Sequence, residues 1–209
     1  MVNKKIFLFG ASFNPIHIGH IEIVNKVSQL FNSKVELLPN KNPDYKINTI
    51  SSIHKLALIN LVIKKFNNLS INYTEIEHSK YMSTYETLTL LNKTYLHKNI
   101  YFIIGLDSLI SIDTWNNWIE LFNLSNFIIF NRQGRSLSEI KNPLLLSIIK
   151  NKQRNLTAIH DHTQIMFIEY TPINISSTEI RLKIKNKEDI SKFLDPDVVD
   201  YIFSHKLYM

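Results

Sequence analysis

Two stretches of this chain carry residue types that can do chemistry on phosphates. The first is Gly10-Ala11-Ser12-Phe13-Asn14-Pro15-Ile16-His17-Ile18-Gly19-His20. His17 and His20 are one helical turn apart, so both side chains can point at one bound anion. An imidazole can donate to a phosphate oxygen either as a neutral N–H or as a cation. Pro15 fixes the turn ahead of the helix, and Gly19 lets a ligand come close to the backbone. One His near a helix start is usually a cap or a solvated side chain; two at this spacing after a Gly…Pro turn argue for a site. The second stretch is Asn174-Ile175-Ser176-Ser177-Thr178-Glu179-Ile180-Arg181. Successive hydroxyls opening a helix supply caps and phosphate-facing donors, and Arg181, one turn on, adds a bidentate cation. Ser-Ser-Thr-Glu is also a good capping sequence in its own right, so this stretch gains its weight from the first.

Such residues need strands and helices to bring them together. The run Ile6-Phe7-Leu8-Phe9 reads as a buried strand, and a helix opens near Ile18 with Ile21, Val24, Val27 and Leu30-Phe31 as its core stripe. Strand, glycine turn and helix N-terminus make a phosphate site, because free N–H groups and the helix dipole converge there. Further strands are expected over 34–38, 69–73, 99–104, 127–130 and 164–170. Helices are expected from a Ser51 or Ser52 cap to about Phe66, from Thr84, over 137–152, and over 197–207 behind Pro196. In the helix behind Ser51 or Ser52, Leu56, Ile59, Leu61, Val62 and Ile63 are expected mostly inward. Alternation of strand and helix implies an α/β fold, a Rossmann-like doubly wound parallel sheet, as one domain over 1–209.

In such a sheet ligands bind at the C-terminal strand ends. Lys46 follows strand two and reads as a phosphate contact or a solvated loop lysine. Ser83 or Thr84 reads as a helix cap, or as part of a helix start whose N–H groups hold a carboxylate. Gly105 ends strand four and permits close backbone approach. Asp107 beside it suits ribose hydroxyls, a metal or a helix cap. Trp115 and Trp118, three apart, read as one helical face, with Trp115 the candidate for packing beside a planar ring. Arg132, just past strand five, suits phosphate or a base.

The bulk composition narrows the classes. With no cysteine there is no disulfide, thiolate nucleophile or Cys-based zinc site. The four-residue apolar run at the start is too short for a signal peptide or membrane span, so a cytoplasmic protein with no membrane partner is expected. The net charge of +6, from 24 Lys+Arg against 18 Asp+Glu, is scattered without a dense stripe. It suits substrates bearing several phosphates, and no nucleic-acid partner is expected.

Gly10 to His20 resembles the HxGH signature of the nucleotidylyltransferase superfamily. The likeness extends along nearly the whole chain toward the bacterial nicotinate-nucleotide adenylyltransferases. It is carried by Leu38-Pro39-Asn40, Ser83-Thr84…Thr87-Leu88 and Phe102-Ile103-Ile104-Gly105-Leu106-Asp107-Ser108. Thr114-Trp115, Arg132-Gln133-Gly134, Thr171-Pro172, Ile175 to Arg181, Tyr201-Ile202 and Leu207-Tyr208 continue it. The chain departs from the family at Ala11, where a second glycine is usual, and in Asn42-Pro43-Asp44-Tyr45-Lys46, where Pro-Pro-His-Lys is usual. Ser52 stands for a helix-start Arg, and Ser83 for the Tyr of a Ser-Tyr-Thr motif. Phosphopantetheine adenylyltransferases share HxGH but lack the Gly-x-Asp-Ser…Trp run.

The resemblance implies transfer of the adenylyl group from ATP to nicotinate mononucleotide, giving deamido-NAD and pyrophosphate. Mg²⁺ would be held mainly by substrate phosphates and water, and no protein ligand is named for it. His17 and His20 would meet phosphate oxygens, His20 nearest the α-phosphate, while Ser177, Thr178 and Arg181 hold the departing pyrophosphate. Gly10, Ala11, Ser12, Phe13, Gly105, Asp107, Arg132, Ile175 and Ser176 complete the implied ATP set. Ser12, Asn14, Lys46, Thr84, Tyr85 and Trp115 form the implied mononucleotide set. The alternatives are nicotinamide mononucleotide or phosphopantetheine as acceptor and, from another class, a non-catalytic nucleotide or nucleic-acid binder.

Overall fold

The chain alternates strand and helix from its first described residue. The computed structural model describes residues 4–41, 50–95, 98–131, 135–154 and 163–209. It opens with β1 (Lys4–Ala11), α1 (Ile18–Phe31), β2 (Val35–Pro39), α2 (Ser52–Ile63) and β3 (Leu69–Ile71). Then come α3 (Thr84–Thr94), β4 (Lys98–Gly105), the short α4 (Leu106–Ile110), α5 (Trp118–Leu124) and β5 (Asn126–Phe130). α6 (Pro143–Lys152), β6 (Ile165–Ile168), α7 (Ser177–Lys185) and α8 (Pro196–Ser204) complete it. The central strands are continuous apolar runs, and every residue of β5 is buried, as a sheet covered on both faces demands. The six strands form one parallel sheet in the order β3-β2-β1-β4-β5-β6, the doubly wound arrangement whose direction of winding reverses at β1.

Two compact units divide the chain. The first, Met1–Gly10 with Met82–Thr171, holds β1, β4, β5 and β6 in register, Phe9 opposite Ile103 and Gly105 opposite Phe130. Aromatic rings fill its core: Phe7 stacks on Tyr101 at 4.9 Å, and Phe122 lies 4.9 Å from Phe127. Gly10 is a packing requirement there, since a Cβ would fall 2.6 Å from Cζ of the buried Phe102. The second unit, Ala11–Tyr81 with Pro172–Met209, pairs Val35 with Leu69 and packs α2 against α8.

Several local expectations are corrected. The helix expected over 137–152 is broken: a 3₁₀ turn, Leu137–Glu139, precedes α6, because Pro143 can start a helix but not continue one. Asn142 caps the new start, its side-chain oxygen accepting from the N–H of Leu144 and Leu145. Trp115 and Trp118 do not share a helical face. A 3₁₀ turn, Ile112–Thr114, ends at Trp115, and left-handed Asn117 (φ 47°) separates it from α5, which begins at Trp118. In α1 the stripe is narrower than expected, with Leu30 40% exposed and Val24 and Val27 buried. In α2 the buried positions are Lys55, Leu58, Ile59 and Val62, one of them a lysine. No described helix is long and apolar enough to cross a membrane.

Candidate active site

The turn after β1 leads directly into α1, and its geometry is set by backbone more than by glycine. Phe13 is wholly buried with φ 45°, a conformation that costs a non-glycine residue free energy and is held here by its surroundings. Asn14, Ile16 and His17 are buried behind it. His17 is the N-cap residue of α1, and its backbone N–H donates to Nδ1 of His20 at 3.2 Å. That bond fixes the tautomer. With Nδ1 accepting from that N–H, a neutral His20 ring carries its proton on Nε2. The ring centroids of His17 and His20 lie 3.7 Å apart with the planes tilted by 30°, and Phe13 meets the His20 ring edge-on at 4.9 Å, which restricts its rotation.

The expectation that several free N–H groups converge at this helix start is corrected. The Ile18 N–H donates to the Phe193 carbonyl at 2.9 Å, and the His20 N–H to the His17 carbonyl at 2.9 Å. Gly19 keeps contact with His17: a Cβ there would lie 3.2 Å from His17 Nδ1 and 3.3 Å from the Ile173 carbonyl oxygen.

The second stretch folds onto the first within the same unit. Ser176 caps α7 in a reciprocal box with Glu179, its Oγ accepting from the Glu179 N–H and its N–H donating to the Glu179 carboxylate, both at 3.1 Å. This leaves the N–H groups of Ser177 and Thr178 in the first turn, where the helix dipole favours an anion. The hydroxyls are directed elsewhere. Ser177 Oγ donates to the Pro15 carbonyl at 2.9 Å, and Thr178 Oγ1 accepts from Arg181 Nη2 at 3.1 Å. Arg181 Nη1 donates to the Asn14 carbonyl at 2.7 Å. Arg181 thus clamps the turn while its remaining guanidinium donors stay available for an anion. Ile175 is a core residue whose N–H donates to the Ile173 carbonyl at 2.9 Å.

One partner of this cluster was not legible in the sequence. Tyr208, next to the last residue, donates its hydroxyl to Oδ1 of Asn14 at 2.6 Å. Burial pushes its phenol well above the ordinary value, opposed by the positive charge of Arg181. The bond orients the Asn14 amide, because Oδ1 is committed to Tyr208 and the NH₂ group turns the other way. Glu22 adds a second tie, accepting from the Ile173 N–H at 2.7 Å.

The remaining candidates lie on the other unit, apart from Lys46, which with Arg132 falls outside the described residues. Gly105 is the N-cap residue of α4 and Asp107 stands in its first turn. Asp107 is therefore not the cap; its carboxylate folds back over Gly105, where any Cβ would collide with it. Ser83 caps α3 in a box with Glu86, leaving the N–H groups of Thr84 and Tyr85 in the first turn. Trp115 is half-buried at the end of its 3₁₀ turn.

The class the fold defines is an α/β protein with a parallel sheet, whose first strand–turn–helix bears paired imidazoles tied to an Arg-bearing helix start. The cytidylyltransferase-like family model matches residues 8–183. A Clostridium perfringens (strain 13) protein named probable nicotinate-nucleotide adenylyltransferase is 35% identical over 208 residues, covering 98% of each chain. A Fusobacterium nucleatum protein of the same name is 36% identical over 197 residues, 93% of this chain and 94% of that one. The fold is shared with the Plasmodium falciparum nicotinic acid mononucleotide adenylyltransferase complexed with NaAD, at TM-score 0.78 and 22% identity over 99% of this chain and 98% of that one. The chain belongs to the cytidylyltransferase-like family, within its nicotinate-nucleotide adenylyltransferase branch.

Proposed function

We infer that the chain is an adenylyltransferase that joins ATP to nicotinate mononucleotide, releasing pyrophosphate and giving deamido-NAD, a step of NAD biosynthesis. Relatives of the same length and 32–36% identity carry that activity in their names, and the family model runs through both units. We propose that residues 1–209 work as one catalytic domain, in the cytoplasm, on small-molecule substrates.

The proposed chemistry is in-line attack of the mononucleotide phosphate on the α-phosphorus of ATP. The new P–O bond forms as the bond to the bridging oxygen of pyrophosphate breaks. A phosphate is already an adequate nucleophile, so catalysis rests on positioning and on charge stabilisation. The observation that supports this reading is the His17 N–H bond to His20 Nδ1, which in a neutral ring leaves the proton on Nε2; we assign that N–H to an α-phosphate oxygen. His17 supports it, and the first-turn N–H groups of Ser177 and Thr178 with Arg181 receive the departing pyrophosphate. Gly10, Ala11, Ser12 and Phe13 frame ATP, with Gly105 and Asp107 assigned to adenosine and ribose. Asn14, Thr84, Tyr85 and Trp115 are assigned to the mononucleotide, Thr84 and Tyr85 by backbone donors to its carboxylate.

Mg²⁺ would shield the polyphosphate and stabilise the leaving group. Among the described residues no group of three or more His, Asp or Glu side chains could hold a metal ion. The test follows the label. ATP labelled at the α-phosphorus should deliver it to the dinucleotide, and γ-label should appear in pyrophosphate. Label in ADP or inorganic phosphate would contradict adenylyl transfer.

A further inference from the structure

We infer that Lys55 is a positioning residue for the ATP turn, a role that rests on the adenylyl-transfer assignment above. Lys55 lies in the first turn of α2 on the same buried side as Leu58, Ile59 and Val62, and is 0% exposed. Withdrawing an ammonium from water is costly unless its donors are engaged, and an apolar side chain at this point of the stripe would avoid that cost. The lysine is therefore explained by what it holds. Its Nζ donates to the Asn40 carbonyl at 2.6 Å and lies 3.5 Å from Asn40 Oδ1.

Asn40 directly follows β2, and its own N–H donates to the Ala11 carbonyl at 3.2 Å. The chain of contacts runs from the Lys55 ammonium through the Asn40 backbone to the Ala11–Ser12 peptide. In a trans peptide the C=O and N–H point in opposite directions. Fixing the Ala11 oxygen toward Asn40 therefore turns the Ser12 N–H to the other side, away from β2. Charge-assisted donation by Lys55 makes Asn40 a firm anchor rather than a frayed strand end. Lys55 thus acts on the nucleotide turn through backbone, without touching substrate.

The test uses the whole chain and four proteins: unaltered, Lys55→Met, Asn40→Pro and the double variant. Met keeps an unbranched side chain of similar length, and Pro removes the Asn40 N–H while keeping its carbonyl. ATP affinity is read by titration calorimetry, steady-state kinetics by pyrophosphate release with nicotinate mononucleotide, and stability by thermal unfolding. Each single variant should weaken ATP binding about tenfold and raise KM for ATP more than it lowers kcat. The double variant should be no weaker than either single one, since both break the same chain of contacts. Lys55→Met should unfold at or above the temperature of the unaltered chain, because a buried charge has become apolar. Unchanged ATP affinity in Lys55→Met, additive losses in the double variant, or a loss explained by a smaller folded fraction would each overturn the inference. If the unaltered chain binds ATP but transfers nothing to nicotinate mononucleotide, the acceptor assignment falls while the ATP affinities still judge Lys55.

Discussion

Replacing His20 separates two jobs that one side chain performs. Nδ1 accepts the His17 N–H at 3.2 Å, and Nε2–H is the donor assigned to the α-phosphate. Asparagine places its Oδ1 at the same bond count as Nδ1 and has nothing at the reach of Nε2. His20→Asn should therefore keep the acceptor at the helix start while losing the phosphate donor and the ring contacts with His17 and Phe13. Loss of one preorganised donor to developing negative charge costs about 10²–10³ in kcat, or roughly 2.7–4 kcal/mol. His20→Ala loses the same donor, the acceptor at the helix start, and the ring contacts with His17 and Phe13. Its helix start costs about 1 kcal/mol more, which for a chain of this size lowers Tm by roughly 2–4 °C. Pyrophosphate release gives kcat, and thermal unfolding gives Tm. Both variants should be slow, and His20→Ala should be the less stable of the two. A His20→Asn protein turning over near the unaltered rate would remove the Nε2 donor from the mechanism.

Three further outcomes follow from particular contacts. Gly10→Ala should destabilise the chain by about 1–3 kcal/mol in urea unfolding, because its Cβ meets the buried Phe102 ring; adding Phe102→Leu should recover part of the loss, and an unchanged midpoint for Gly10→Ala would contradict the packing. Tyr208 has its folded pKa raised above the ordinary 10.0 by burial, so its contribution is intact below pH 10 and fades as pH rises beyond it. Tyr101 shifts in the same direction, so the readout is the difference from Tyr208→Phe, whose stability should fall less steeply above pH 10; parallel curves would refute the burial of the Tyr208 phenol. Trp115→Ala should raise KM for the mononucleotide more than for ATP, and equal effects would reject its placement.

Much of the scaffold was readable because its signals are local. The helix start at Ile18, the Ser176–Glu179 box and the strand at 126–130 follow from neighbouring residues, and the structure places each within a residue or two. The reading failed where local and distant effects compete. An apolar period ran through 137–152, yet Pro143 ended the first turn and restarted the helix. Trp115 and Trp118 had helical spacing, but left-handed Asn117 lies between them. The clamp on Asn14 joins residues 194 positions apart, and no local pattern announces it. Lys55 did leave a trace: it occupies an inward place on the period of Leu58, Ile59 and Val62. The hydroxyls of Ser177 and Thr178 were readable as donors at a helix start, but not that Pro15 and Arg181 engage them first.

The central claim is the acceptor, and its most direct test compares kcat/KM for nicotinate mononucleotide, nicotinamide mononucleotide and phosphopantetheine with ATP and Mg²⁺. A strong preference for nicotinate mononucleotide is the expected result, and it would show that the chain's own sequence after β2 serves the acid substrate. Preference for nicotinamide mononucleotide would keep the reaction and move the specificity, while turnover with phosphopantetheine alone, or with none of the three, would contradict the account.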